Sequence, residues 1–154
     1  MEYNEIQEAL QELGSQIGIP DLSFDENGYC CLLFDDIVVN VEADSDSEIL
    51  FLYSNVGELP PEANAELYEM LLEENFLFRG TGGGALGIDK DTGIIAYAYQ
   101  IPFDLVSSGN FEQILENFVN LVEDFTQRIE KIIKLSPAKS EKASDVPPPL
   151  GMKV

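Results

Sequence analysis

The chain has 154 residues and a formal net charge of −21, with 29 acidic residues, 8 basic residues and no histidine. A field of this sign repels nucleic acid and anionic membranes, which are bound through basic patches, so we expect neither as a partner. The length predicts one domain with its own core, and the absence of a signal peptide and of any apolar stretch of about 18 residues predicts a cytosolic protein without membrane insertion.

The acidic residues are unevenly distributed along the chain. Residues 1–78 hold 19 carboxylates and no lysine or arginine. A partner of this half is expected to be basic or neutral, because like charges repel. A high charge of one sign also keeps a protein soluble when it exposes apolar surface, so partner attraction and solubility both remain open as reasons for it.

Residue usage excludes most site chemistry. Without histidine the chain lacks the usual general base near neutral pH and any Ser–His or Cys–His pair. Cys30 and Cys31 are adjacent, so on a strand they point to opposite faces and cannot join distant segments or complete a zinc site. We therefore predict no catalytic residue, no cofactor and no metal.

The first predicted element is an amphipathic helix over residues 3–13. Its apolar residues recur at helical spacing with glutamates on the opposite face, and Gly14 is predicted to end it in a left-handed conformation. Phe24 then leads into a turn at residues 25–28, where Asn-Gly is a strong hairpin signal.

Three strands are predicted over residues 29–34, 37–42 and 48–54, with connections short enough for antiparallel hairpins. Both alternating sets of side chains in the first and third strands are apolar, which predicts that both faces of the sheet are covered. The chain's own helices, a second subunit or a ligand chain could supply that cover. Residues 44–48 resemble the start of a calcium loop but lack its glycine and its closing carboxylate, which favours a solvated hairpin tip.

A second helix is predicted to begin at Pro60-Pro61, since proline is tolerated in a first helical turn. Five glycines then occupy eight positions over residues 80–87. This segment lacks the lysine and the following helix of a phosphate-binding loop, and it follows a helix instead of a strand, unlike a dinucleotide loop. The glycines instead indicate a tight reversal with close backbone approach. The buried stripe of the helix is predicted to comprise Ala65, Leu67, Tyr68, Met70, Leu71, Leu72 and Phe76.

A last hairpin is predicted over residues 85–88 and 94–100. Its turn contains Asp91-Thr92-Gly93, the triplet that places a catalytic carboxylate in dimeric aspartic proteases. Here the aspartate follows the charged Asp89 and Lys90 in a solvated turn, so ordinary turn chemistry is the favoured interpretation and the protease is the enzyme alternative.

A long amphipathic helix is predicted to follow, capped by Asn110 and apolar along one stripe as far as Ile132. From residue 136 the composition turns to Ser, Lys, Ala and Pro. We therefore predict a folded α+β domain over 1–135, with the order α-β-β-β-α-β-β-α and an antiparallel sheet, and a disordered tail over 136–154.

This order of elements resembles the class I chaperones of bacterial type III secretion, the Tir chaperone (CesT) family. The resemblance spans about residues 3–133, and no single motif carries it. The segments that carry it are Leu13-Gly14 with Ile17-Gly18-Ile19-Pro20, Phe24-Asp25-Glu26-Asn27-Gly28-Tyr29-Cys30, Leu71-Leu72-Glu73-Glu74-Asn75-Phe76 and Gly87-Ile88-Asp89.

The resemblance implies a homodimer in the bacterial cytoplasm. It would bind the N-terminal segment of a secreted effector and keep that segment extended until the secretion ATPase takes it. The implied dimer contact lies on the second helix and adjoining strands, at Leu67, Leu71, Phe78 and Ile88. The candidates for effector contact are Ile6, Leu10, Phe24, Leu32, Phe34, Val38, Leu50 and Leu52. Each of these residues is equally compatible with an ordinary core.

Two other functions remain open at this point. One is a chaperone-like regulatory protein whose partner is another regulator of the secretion system. The other is an adaptor that shares the fold without a role in secretion. The identity of copurified partners distinguishes the first from an effector chaperone, and neighbouring genes distinguish the second.

Overall fold

The structure is a computed structural model that describes residues 3–107 and 109–145, with side chains as far as residue 135. Its order confirms the predicted α+β class. Two 3-10 turns, Phe76–Phe78 and Phe103–Leu105, interrupt the connections. The helices and strands are α1 (Tyr3–Ile17), β1 (Tyr29–Phe34), β2 (Ile37–Asp44), β3 (Ile49–Glu58), α2 (Ala65–Asn75), β4 (Ala85–Ile88), β5 (Ile94–Pro102) and α3 (Phe111–Asp145).

The five strands form one antiparallel sheet in the order β1-β2-β3-β5-β4. Strands β1 and β4 are therefore its two edges. One row of paired residues crosses all five strands and shows the register: Cys31, Asn40, Tyr53, Ala98 and Ala85. Because side chains alternate along a strand, this row and its neighbours define which residues share a face.

One face of the sheet forms the core together with α1 and α3. Helix α3 packs on β2 and β3, and α1 packs on α3. The Tyr97 ring of β5 lies 5.1 Å from the Phe118 ring and 5.5 Å from the Phe125 ring, centroid to centroid, which ties α3 to the sheet by aromatic contact. The predicted apolar stripe of α3 is confirmed, since its residues from Phe111 to Ile132 are buried or half-buried.

The end of α1 differs from the prediction at Gly14. The helix continues to Ile17, and Gly18 takes the left-handed conformation, with φ of 86°. Gly14 instead permits a close approach: a Cβ placed on it would lie 2.3 Å from the Ile19 carbonyl oxygen and 2.7 Å from the Leu22 Cβ. The following loop folds back onto this turn of the helix, so its glycine serves packing instead of termination.

The start of α2 also differs from the prediction. The helix begins at Ala65, several residues after Pro60-Pro61, and Asn64 is its N-cap. The Asn64 side-chain oxygen accepts a hydrogen bond from the Leu67 backbone N–H at 3.0 Å. A side-chain acceptor that satisfies a free N–H of the first turn fixes a helix start more strongly than a permissive proline does.

The interpretation of the glycine-rich segment as a tight reversal with close backbone approach is confirmed. Gly82 and Gly83 have φ of 61° and 98°, a region that favours glycine. A Cβ on Gly84 would lie 2.4 Å from the Ala98 carbonyl oxygen, so the segment lies directly against β5.

The backbone of α3 continues to Asp145, past the domain boundary predicted at residue 135. Residues 146–154 of the predicted tail lie outside the described residues. The division into a folded domain over 1–135 and a disordered tail over 136–154 therefore stays a prediction.

Candidate partner-binding surfaces

The β4 edge of the sheet is closed by one side chain. The Asn75 carboxamide, at the end of α2, donates to the Leu86 carbonyl and accepts from the Leu86 N–H, each at 2.9 Å. These are the two bonds that a neighbouring strand would make at this position. An added strand therefore finds the middle of the β4 edge already occupied.

The β1 edge is closed only at its first residue. Asp25 donates its N–H to the Tyr29 carbonyl at 2.8 Å, and its carboxylate accepts from the Tyr29 N–H at 3.0 Å. Outward-facing backbone groups recur at every second residue of an antiparallel edge, so those of Cys31 and Leu33 also point away from β2. No other part of the chain that the structure describes forms a hydrogen bond with these outward groups.

The face of the sheet opposite the core is apolar near this open edge. On it the Leu33 side chain is 66% exposed, the neighbouring Val38 is 45% exposed and Cys31 is exposed. In β3, Phe51 and Tyr53 on the same face are half-buried. The single chain thus covers one face of the sheet with α1 and α3, and the predicted cover of the second face stays a prediction.

A polar cluster crosses the middle of this open face. The Tyr29 hydroxyl donates to Asn40 Oδ1, Asn40 Nδ2 donates to the Tyr53 carbonyl at 3.1 Å, and the Tyr53 hydroxyl donates to the Glu42 carboxylate. Burial raises the pKa of both tyrosines; for Tyr29 the Cys31 side chain adds to the rise, and for Tyr53 the Glu42 carboxylate does. Both phenols are therefore protonated near neutral pH and act as donors.

A second apolar surface projects from the end of α2, and we call it the apolar ridge. It consists of Leu72, Phe76, Leu77 and Phe78, whose side chains are 59% to 71% exposed. Leu77 and Phe78 both have positive φ, 53° and 59°, which is unusual for bulky apolar residues. Four adjacent large apolar side chains that face solvent indicate a contact surface.

An ion pair holds the base of this ridge. The Arg128 guanidinium of α3 binds the Glu74 carboxylate of α2 and reaches Asp124 at 3.4 Å. Gly80 lies so close to Glu74 that a Cβ there would be 2.2 Å from its Oε1. The end of α2 is thereby fixed against α3 while the apolar ridge stays exposed.

The structure separates the predicted contact residues by burial. Of the effector candidates, Val38 is exposed and Phe34 is half-buried, while the others lie in the core of the single chain: Ile6, Leu10, Phe24, Leu32, Leu50 and Leu52. Of the dimer candidates, Phe78 and Ile88 are exposed, whereas Leu67 and Leu71 are buried.

Several exposed residues were missed by the sequence reasoning. Leu33 and Cys31 alternate with the chosen Leu32 and Phe34, but the sequence does not reveal which set faces the core. The sequence pattern places Leu72 and Phe76 in the buried stripe of α2, but they are exposed and form the apolar ridge with Leu77 and Phe78. The helical spacing shows that these residues share a face, but not whether another element covers it.

The Asp-Thr-Gly triplet lies in a turn, and the described residues do not group into a metal site. Asp91 lies at the exposed β4–β5 turn, where its N–H donates to Asp89 Oδ1 at 3.2 Å and Gly93 has φ of 75°. Within residues 3–107 and 109–145 no group of three or more Cys, Asp or Glu side chains could hold a metal ion. In that same part of the chain no helix is long and apolar enough to cross a membrane.

Comparison with known proteins gives a consistent result. Residues 8–126 match the model of the Tir chaperone protein (CesT) family. The chain is 28% identical to a Tir chaperone of Citrobacter freundii over 115 residues, which is 75% of this chain and 73% of that protein. It is 26% identical to a Tir chaperone of Escherichia coli O157:H7 over the same shares.

Solved structures share the fold. The ExsC–ExsE complex contains a chain with a TM-score of 0.72 and 26% identity, covering 82% of this chain and 96% of that one. The HopA1–SchA chaperone–effector complex gives a TM-score of 0.65 at 18% identity, over 79% and 93%. The Yersinia pestis type III secretion chaperone SycH, in complex with a fragment of YscM2, gives 0.61 at 19%, over 77% and 98%.

Proposed function

The chain belongs to the Tir chaperone protein (CesT) family, and from that premise we propose that it is a type III secretion chaperone. It binds the N-terminal segment of a secreted effector and keeps that segment extended, partly unfolded and competent for export. It acts as a homodimer in the bacterial cytoplasm. The secretion ATPase is a further partner, which would receive the effector from the chaperone.

The observation that carries this proposal is the open β1 edge beside an uncovered apolar face. Backbone hydrogen bonds to Cys31 and Leu33 would hold an extended segment of almost any sequence. The exposed Leu33 and Val38 side chains would cover apolar residues of that segment on the open face. A chaperone for an unfolded chain needs this combination, because backbone pairing gives affinity and the apolar contacts give moderate selectivity.

The predicted effector contacts take different roles in this proposal. Val38 and the half-buried Phe34 can touch a bound segment directly. The six buried candidates belong to α1, the loop after it, β1 and β3, and their packing in the core would keep the sheet rigid, so that the edge is preorganised for a strand. Preorganisation reduces the entropy lost on binding.

We propose that the apolar ridge and Ile88 form the homodimer contact. Leu67 and Leu71 on the same helix are buried in the single chain and would hold α2 in position, while the ridge and Ile88 supply the contact surface. A second copy is the favoured occupant because dimers of one chain bury such apolar surface in symmetric, self-complementary contacts. Light scattering tests this contact: replacing Leu72 and Phe76 by Lys should leave a folded monomer.

We further propose that the protein is not an enzyme. The absence of histidine from the whole sequence removes the commonest general base at neutral pH. The Asp91 carboxylate of the Asp-Thr-Gly triplet lies exposed in a turn, unlike the buried pair of aspartates that shares a proton in an aspartic protease.

Coexpression with candidate secreted proteins encoded nearby tests the proposed function. A partner should copurify, and limited proteolysis should leave its N-terminal segment protected. Leu33→Pro removes one outward N–H from the β1 edge without breaking the β1–β2 ladder, so it should reduce capture of the partner.

The matched control is Leu33→Ala, which keeps the N–H and loses only the side chain. Equal capture by the two variants would argue against strand addition at β1. A chain that captures no candidate partner at all would overturn the chaperone function itself.

The alternative from the sequence is a chaperone-like protein that binds another regulator of the secretion system. Such a regulator would bind the same open β1 edge as an effector, so both functions use the same geometry. The copurified partner does: a protein recovered from the culture medium as a secreted product supports the effector chaperone, and one retained in the cell supports the regulator.

A further inference from the structure

We propose that the acidic residues at the two ends of β1 select a partner strand that is apolar in its middle and carries Lys or Arg at both ends. This inference rests on the proposed function, because it names the class of segment that the open β1 edge takes. Three observations carry it: the length of the free edge, the position of the carboxylates and the lack of lysine and arginine in residues 1–78.

The free part of the β1 edge is short. Asp25 occupies the outward groups of Tyr29, and the chain leaves the strand at Asp35, which has φ of 54°. Only Cys31 and Leu33 remain between these limits, and each offers one N–H and one C=O. A partner strand therefore pairs over a few residues, and the residues that flank its paired centre lie beside both ends of β1.

Carboxylates stand at both of these ends. Asp25 and Glu26 precede β1, and Asp35 and Asp36 form the turn that follows it. Arg128 and Lys134 of α3 pair with Glu74, Asp124 and Glu130, none of which lies at either end of β1. No lysine or arginine occurs anywhere in residues 1–78, so the charges around β1 are not neutralised by neighbouring residues in the sequence.

The turn after β1 also borders a cleft of about 660 Å³. Asp35, Asp36 and the Glu123 carboxylate of α3 line it together with the apolar Ile37 and Val122. An arginine or lysine has an apolar stem and a charged head, so it fits a cleft with apolar walls and carboxylates. A basic residue that follows the paired centre of a bound strand would reach this cleft and place its charge among three carboxylates.

Three synthetic peptides test the preference directly. They share one centre of alternating valine and serine and carry two lysines, two serines or two glutamates at each end. We expect fluorescence anisotropy to show about tenfold tighter binding of the lysine-flanked peptide than of the serine-flanked one at low ionic strength, and no measurable binding of the glutamate-flanked one. The preference should shrink at about 300 mM NaCl, because exposed charges are screened.

A matched pair of variants separates this site from general attraction to an acidic protein. The test variant combines Glu26→Gln, Asp35→Asn and Asp36→Asn, and asparagine tolerates the positive φ at residue 35. The control changes the same number of charges at exposed positions away from β1: Glu62→Gln, Asp91→Asn and Glu116→Gln.

Loss of the lysine preference in the test variant, with its retention in the control, is the expected result. Equal binding of lysine-flanked and glutamate-flanked peptides would overturn the inference, and so would equal losses in the two variants or no binding of the lysine-flanked peptide at low salt. The proposed function is tested separately. If Leu33→Pro reduces capture of a secreted partner, that function is supported even when the peptides show no charge preference.

Discussion

Two residues limit the free edges of the sheet. The Asn75 side chain makes both hydrogen bonds that a strand would make to Leu86, and Asp25 makes those to Tyr29 with its backbone N–H and its carboxylate. Neither role follows from the sequence, because an asparagine at a helix end and an aspartate in a turn are ordinary local features. The edge that each one closes becomes visible only when the strand order is known.

We predict that Asn75→Ala destabilises the protein by about 1–3 kcal/mol, because it leaves the partly buried N–H and C=O of Leu86 without partners. Urea unfolding followed by circular dichroism measures the loss. Asn120→Ala, at an exposed position of α3, should change the free energy of unfolding by less than about 0.5 kcal/mol. Similar losses in the two variants would show that the β4 edge does not depend on Asn75.

The buried Cys30 thiol makes the stability of the folded protein fall at alkaline pH. Burial, with smaller contributions from Cys31 and Asp25, raises the pKa of the Cys30 thiol from 9.0 to about 11. The folded protein thus holds this proton to higher pH than the unfolded chain does, so the stabilising contribution is complete below about pH 9 and is lost as pH rises through about 11. Burial, with Tyr99 nearby, raises the pKa of Tyr97 from 10.0 to about 12 and acts in the same direction.

We therefore expect the free energy of unfolding to fall between about pH 9 and about pH 11, and to fall less steeply in Cys30→Ala. Urea titrations at several pH values in this range give both slopes. Cys31→Ala, at the exposed neighbour, should keep a slope closer to that of the unsubstituted protein. An unchanged slope in Cys30→Ala would contradict the assignment.

At the scale of elements, the sequence predicts those whose pattern is local. Strand β1 has the predicted bounds, and the three hairpins, the stripe of α3 and the order of all eight elements are as predicted. The predictions that are wrong concern helix boundaries that depend on other parts of the structure. Gly14 has the local pattern of a helix stop, but the loop that packs on it comes later in the chain. Pro60-Pro61 has the local pattern of a helix start, but the cap that fixes the start is Asn64.

The surfaces for partners were less predictable than the fold. The pattern shows which residues of α2 share a face, but Leu67 is buried and Leu72 is 71% exposed on the same helix. That difference depends on which side of α2 packs against α3 and β4, which is a tertiary property. Likewise, alternation within β1 separates Leu32 from Leu33 but does not show which of them faces the helices.

The packing at the end of α1 gives a prediction that opposes helix propensity. Alanine is a better helix former than glycine by about 1 kcal/mol, so Gly14→Ala should stabilise a helix that is free of contacts. In the fold the new Cβ would meet backbone at Ile19, and we expect a net loss of about 1–3 kcal/mol. Ser15→Ala, on the exposed side of the same turn, is the control and should be neutral or stabilising. A more stable Gly14→Ala protein would contradict the close approach.

At the scale of the whole molecule, the charge distribution opposes folding at low salt. The chain carries a net charge of −21, and its first half has no cation of its own. The Arg128–Glu74 pair is one point where a cation of α3 meets the acidic half. Self-repulsion of this size is reduced when counterions shorten the range of each charge.

We predict that the free energy of unfolding rises by on the order of 1 kcal/mol between about 10 mM and about 200 mM NaCl. Thermal unfolding at a series of salt concentrations measures it. The variant with Glu26→Gln, Asp35→Asn and Asp36→Asn carries three fewer acids and should show a smaller rise. Stability that decreases with salt would mean that the ion pairs outweigh the repulsion.

The short free edge of β1 has a mechanical consequence. A strand joined through Cys31 and Leu33 alone is held by at most four backbone hydrogen bonds arranged in a row. Tension that pulls one end of such a strand away from the edge breaks those bonds one pair at a time, so the peak force is that of a single pair. One more pair of hydrogen bonds, at Tyr29, would increase the work of removing the strand, but Asp25 already occupies the Tyr29 N–H and C=O.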